Sequence, residues 1–285
     1  MAQFGKRGPD DSRLPNQRTA AGAPIPRVTR HTAGASIAAS MTAQPAFDSG
    51  IATSPAAAEY DAGLRAYMLG VYNLMLLGVA FSGAITLALI MMPDTLEAMM
   101  NNPLFGIGIF CGTLGLSWFS PTIIKSESPL LGHLFYWTYC ALWGAGLAPM
   151  ISFLIEEDAS SIITVSFFLA ASLFGAASIY GYTTRRSLTG LGCYLCMLTV
   201  GLLIAAILNL LVFEFNGFSF VCCVATVVIF TAVTAWETQI IKDLYSAKSS
   251  SAQRESRSIF GAFQLYGSFM MIFSRLMRIF WQLLR

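Results

Sequence analysis

The chain has 285 residues, 55% hydrophobic and only 11% charged, with a mean hydropathy of +0.63. A soluble protein carries roughly 25% charged residues, so most soluble folds are excluded. The 17 Lys and Arg against 15 Asp and Glu leave +2 at pH 7, but the two signs are sorted along the chain. No nucleic-acid partner is expected. Long apolar runs recur instead, the pattern of one all-α polytopic membrane domain.

Residues 1–58 contain Pro9, Pro15, Pro24, Pro26, Pro45 and Pro55 among Gly, Ala, Ser and Thr, with no sustained apolar run. That composition predicts a disordered cytoplasmic tail. No signal-peptide core precedes the first apolar run, and Asp10 and Asp11 count against a transit peptide. Residues 59–285 are the expected membrane domain.

A bilayer core needs roughly 20 mostly apolar helical residues, and six stretches meet that length: Tyr67–Met91, Leu104–Ile124, Leu130–Ile155, Ser161–Tyr182, Leu191–Phe213 and Phe218–Ile241. A seventh, Ile259–Trp281, is long enough but carries Arg275 and Arg278 near its end. Basic residues fix the orientation, because Lys and Arg near span ends favour the cytoplasmic side. They occupy the tail, Lys125, the Arg185–Arg186 connection, the Lys242–Arg257 connection and the C-terminus, whereas the first, third and fifth connections hold only acids, among them Asp94, Glu157 and Glu214. The N-terminus is therefore expected in the cytoplasm. The basic C-terminus points to the same side, which a seventh full crossing forbids, so the last helix is expected to be central or re-entrant. A reporter fused after Arg30 or in the Arg185–Arg186 connection should read as cytoplasmic, and one near Glu157 as the opposite side. Cytoplasmic labelling at Glu157 would overturn the span assignment.

Several chemistries fail on inspection. A retinal protein needs a lysine deep in a span for its Schiff base, yet Lys125 and Lys242 stand at span ends. Hydrolysis needs clustered His, Ser-His or paired Asp, and the two histidines are His31 in the tail and His133 at the start of the third span. The chain is not expected to be an enzyme or to hold a resident cofactor or metal. Cys193 and Cys196 form a C-x-x-C inside an apolar helix, where cysteine packs as a small hydrophobe; Cys111, Cys140, Cys222 and Cys223 form no disulfide framework. Gly108 and Gly112 make a G-x-x-x-G, which permits close helix approach.

The informative residues are polar ones inside spans. An ionisable group in hydrocarbon costs on the order of 3 kcal/mol by insertion scales and usually faces an interior or water. Glu237 is the acid of this kind. At roughly 100° per residue, Thr231, Thr234, Glu237 and Thr238 fall within an arc of about 120°, a polar stripe. On the last helix Ser268, Arg275, Arg278 and Gln282 all project within about 40° of Gln264. The two stripes are expected to face each other, with Arg275 or Arg278 as counter-charge to Glu237; the alternative is a surface helix whose arginines meet lipid phosphates. Asn209 in the fifth span is expected to make a helix-packing hydrogen bond.

Four runs in order carry a resemblance: Asp61-Ala-Gly-Leu-Arg-Ala-Tyr-Met-Leu-Gly-Val-Tyr-Asn73, Ser178-Ile-Tyr-Gly-Tyr-Thr-Thr184, Asn209 in its span, and Ala235-Trp-Glu-Thr-Gln-Ile-Ile-Lys242. Over residues 59–285 the chain resembles the Bax inhibitor-1 family of membrane proteins, in its bacterial YccA-like branch. The resemblance implies six spans around a central seventh helix, a pH-sensitive calcium leak in the bacterial inner membrane, and a link to cell-death suppression, stress or membrane proteolysis. It also implies a sensor made of two aspartates. The first lies in an Asp-Thr-Gln motif, where this chain has Glu237. The second lies in a Leu-Tyr-Leu-Asp-type run, where this chain reads Leu265-Tyr266-Gly267-Ser268, and the Asn that usually follows is here Met271. A lone carboxylate cannot share a proton with a like-charged neighbour, so the gating chemistry is expected to be altered.

Two functions fit these residues. One is a cation leak, calcium foremost, past Glu237, whose carboxylate with the hydroxyls of Thr231, Thr234, Thr238 and Ser268 makes a weak oxygen site for a hard cation bound only in transit. The other is a non-conducting regulator that binds a membrane protease or another regulatory protein through its basic segments.

Overall fold

The computed structural model describes residues 55–126, 128–209 and 216–284. The expected tail lies, up to residue 54, outside the described residues, and so do Glu214 and Arg285. Eight α-helices follow one another: α1 (Pro55–Ile90), α2 (Pro93–Asn101), α3 (Pro103–Ser126), α4 (Pro129–Glu156), α5 (Ser161–Thr183), α6 (Thr189–Leu208), α7 (Asn216–Asp243) and α8 (Ser251–Leu284). All but α2 are long and apolar enough to cross a membrane. The all-α polytopic reading holds, with seven helices of spanning length among the described residues.

Helix α2 is an addition. A nine-residue helix escapes any search tuned to bilayer thickness, but Pro93 at its start and Asp94 in its first turn are ordinary initiation signals. Proline gives up a backbone N–H that has no partner there, and the acid suits the positive end of the helix dipole.

Helix α8 lies at the centre, against α1, α3, α4, α5 and α7. Its side chains Leu265, Tyr266, Ile272 and Met277 are fully buried, which rules out a helix lying on the membrane surface. By contrast α3 and α6 turn large apolar groups outward, Trp118 at 83% exposure and Tyr194 at 68%, as lipid-facing helices must. The reason for the inversion is compositional: the helix with most polar groups gains least from lipid, so it takes the middle.

The register of α8 settles the re-entrant question. At one end its Glu255 pairs with His133 in the first turn of α4, 3.1 Å apart, and Arg257 donates to the Leu244 carbonyl at 2.9 Å beyond the end of α7. At the other end Trp281 meets Phe153 in the last turn of α4, ring centroids 5.0 Å apart. Helix α8 therefore runs the whole depth of the bundle, about 51 Å for its 34 residues at 1.5 Å per residue. Arg275 and Arg278 are inside this helix, where long side chains can snorkel, and not in a connection that the charge rule counts.

Candidate functional site

Glu237 sits six residues before the end of α7, about 9 Å along the axis. It is 6% exposed and faces α8, where Ser268, 2% exposed, donates its hydroxyl to Oε2 at 2.6 Å. The two stripes do meet at this pair. A hydrogen bond to a charged group contributes about 1.5–3 kcal/mol, comparable with the cost of placing the acid in a span. One donor nevertheless leaves most of a carboxylate's acceptor capacity unmatched. Such a group favours a proton, water or a cation beside it.

Around this pair stand groups that the sequence reading missed. Tyr139 of α4 is in electrostatic reach of Glu237, and its hydroxyl comes within 3.0 Å of where a side chain at Gly267 would begin. A side chain beside Ser268 would make that phenol give way by a few tenths of an ångström. The same hydroxyl accepts from Ser117 of α3 at 3.4 Å, so polar groups of α3, α4, α7 and α8 converge on one spot. A mid-span tyrosine or serine was the available signal, since a buried hydroxyl needs a partner.

The rest of the Ala235–Lys242 run rivets α7 to α5 and α6. Ala235 lays its main chain against Gly181, and Trp236 lies against Gly192. The Thr238 hydroxyl donates to the Thr234 carbonyl at 2.8 Å and meets Ser178 Oγ at 3.1 Å; Ser178 in turn meets the Tyr72 hydroxyl of α1. Each hydroxyl has one proton, so the chain runs one way: Tyr72 donates to Ser178, Ser178 to Thr238, and Thr238 to its own helix. Gln239 accepts from the Leu188 N–H at 2.6 Å and donates to the Arg186 carbonyl at 2.9 Å, using both ends of its amide. Lys242 donates to the Tyr182 carbonyl at 2.9 Å and stands 5.1 Å from the Tyr182 ring. These contacts satisfy backbone groups that helix ends leave open.

The α7 stripe is therefore divided. Glu237 turns to α8, Thr238 to α5, and Thr231 and Thr234 donate to the Val227 and Phe230 carbonyls of α7 itself. Arg275 and Arg278 do not pair with Glu237: among the described residues the ion pair present is His133–Glu255. Arg275 lies two turns beyond Ser268, in electrostatic reach of Cys222 near the other end of α7, with its Nε buried and unpartnered; Arg278 is exposed. A shared stripe fixes direction around the axis but not height along it. Asn209 follows α6, and its buried Oδ1 has no hydrogen-bond partner among the described residues, so the expected packing bond is not formed there. All six cysteines are free, and Cys193 and Cys196 face outward. Gly108 has nothing close enough to need a glycine, whereas Gly112 sits near Leu142.

Residues 64–283 match the family described as "Inhibitor of apoptosis-promoting Bax1". The chain belongs to the Bax inhibitor family. It is 33% identical over 219 residues to an uncharacterized protein of Rickettsia prowazekii, covering 77% of this chain and 90% of that one. It is 31% identical over 222 residues to the inner membrane protein YbhL of Escherichia coli, covering 77% and 92%. An uncharacterized protein of Caulobacter vibrioides is 32% identical over 229 residues, covering 77% and 90%. In this family member the runs that carry the resemblance are also the ones that touch. Ser178, Gly181 and Tyr182 meet Thr238, Ala235 and Lys242, and Tyr72 joins them from α1.

Proposed function

We propose that this protein is a cation leak, calcium foremost, of a bacterial inner membrane, with its N-terminus in the cytoplasm. Glu237 is the interior ligand, and the Ser268 bond to it is the closed latch between α7 and α8. The observation that supports this reading is a carboxylate inside a membrane span with a single hydroxyl donor at 2.6 Å. Its remaining acceptor positions suit a hard cation held briefly by oxygen ligands, and opening requires Ser268 to release Oε2. The inner-membrane naming of the Escherichia coli relative supports the location. Arg275 and Arg278, being displaced along α8, do not oppose a cation at Glu237.

The test is calcium flux through the purified protein in proteoliposomes. Glu237→Gln keeps the shape and removes the charge; losing a contact of about 1.5 kcal/mol should lower flux about tenfold. Unchanged flux in a folded Glu237→Gln protein would remove Glu237 from the path. Wild-type flux equal to that of protein-free vesicles would favour the non-conducting regulator of a membrane protease or stress partner.

A further inference from the structure

At the basic end of the bundle, the α5–α6 turn and the end of α7 enclose an open pocket of about 500 Å³. Its lining is polar: Thr183, Thr184, Arg185, Ser187, Gln239, Lys242 and Asp243. We propose that this pocket binds the phosphate group of an anionic phospholipid from the adjoining leaflet.

Three observations carry the assignment. First, the frame is rigid. Gln239 holds the main chain at Arg186 and Leu188, Lys242 holds the Tyr182 carbonyl, and the Thr184 N–H closes onto the Tyr180 carbonyl at 2.9 Å. Second, cationic donors are left over within that frame. Arg185 is exposed and enters no hydrogen bond or ion pair among the described residues. Lys242 uses one of its three N–H donors on Tyr182. Asp243 is the opposing charge in the lining, so two bases face one acid, and Arg186 adds an exposed base on the same turn. Guanidinium and ammonium groups with neighbouring hydroxyls match phosphate oxygens.

Third, position selects a lipid over a soluble anion. The pocket lies where α5 and α7 leave the bilayer, and basic pockets at that level bind anionic headgroups. Thr183 lines it, and Ile179, four residues earlier on the same face of α5, is 67% exposed. A headgroup at Thr183 would thus lay its acyl chain along an apolar surface.

The test uses the full-length protein in neutral detergent, titrated with dioleoyl phosphatidylglycerol and followed by native mass spectrometry. Phosphatidylglycerol should bind in preference to dioleoyl phosphatidylcholine. Arg185→Gln should weaken it about fivefold without changing the thermal transition measured in phosphatidylcholine, since Arg185 is exposed and makes no hydrogen bond or ion pair among the described residues. Lys248→Gln, an exposed base at the same end but outside the pocket, should leave the affinity as it was. Equal binding by wild type and Arg185→Gln, or equal weakening by Lys248→Gln, would overturn the site. If inorganic phosphate competes phosphatidylglycerol off the wild type at equal concentration, the pocket is built for a free anion and the lipid assignment fails.

Discussion

Replacing Ser268 by Asp is expected to add a second pH-dependent step in calcium flux to the single one that Glu237 alone gives the wild type. Ser268 Oγ already lies 2.6 Å from Glu237 Oε2, so an aspartate there places two carboxylates in contact within a buried site. Two such groups cannot readily both ionise, and they titrate as a pair in two separated steps once their coupling exceeds about 1 pK unit. In the wild type the partner is a hydroxyl, which donates to Glu237 without competing for its proton. Among the described residues no neighbouring charge stands in for the missing acid: Tyr139 approaches from α4, Ser117 behind it from α3, and Arg275 lies two turns further along α8. Flux measured from pH 5 to pH 8 in proteoliposomes should therefore show a transition in Ser268→Asp beyond that of the wild type, and adding Glu237→Gln should abolish it. A folded Ser268→Asp protein with the wild-type profile would show that the pair does not control opening.

That the two residues would meet was readable from the sequence, because each lies on a polar stripe of an otherwise apolar helix and hydrocarbon leaves such stripes only one another. Six of the seven spanning-length helices were readable as crossings too, since bilayer thickness sets a length. What the helical wheel withholds is height and partner. It places Ser268 and Arg275 on one line and so made Arg275 a counter-charge, although two turns of helix separate them. It groups Thr238 with Glu237, although a rotation of about 100° sends one to Ser178 on α5 and the other to Ser268 on α8. That α8 runs the depth of the bundle was hidden for a different reason: charge counting assumes that bases lie in connections, and Arg275 and Arg278 do not. As single residues Tyr139, Ser178 and Tyr72 signal only that a mid-span hydroxyl needs a partner, not which one. Their hydroxyls acquire meaning only when packing brings a partner from another helix, which no local pattern encodes.

The same packing makes Gly181 the position where one methyl group should do most damage. A Cβ added there would lie 2.9 Å from the carbonyl carbon of Ala235 and 3.0 Å from its Cα, with the carbonyl oxygen closer still. These are backbone atoms, so no side-chain rotation relieves the clash; α7 must move away from α5. That movement strains the bonds between Ser178 and Thr238, Gln239 and the α6 start, and Lys242 and Tyr182. Overpacking of this kind costs about 1–3 kcal/mol, against the gain of about 0.5–1 kcal/mol that alanine brings over glycine in a helix. Gly175, on the same helix with nothing within 4 Å of its Cβ position, isolates that gain. Gly175→Ala should therefore raise the thermal transition of the detergent-solubilised protein slightly, and Gly181→Ala should lower it. Because the displaced segment carries Glu237, Gly181→Ala should also change calcium flux at temperatures where the protein remains folded, whereas Gly175→Ala should not. A Gly181→Ala protein as stable as Gly175→Ala would mean that α5 and α7 are not in the close contact on which the geometry of the Glu237 site depends.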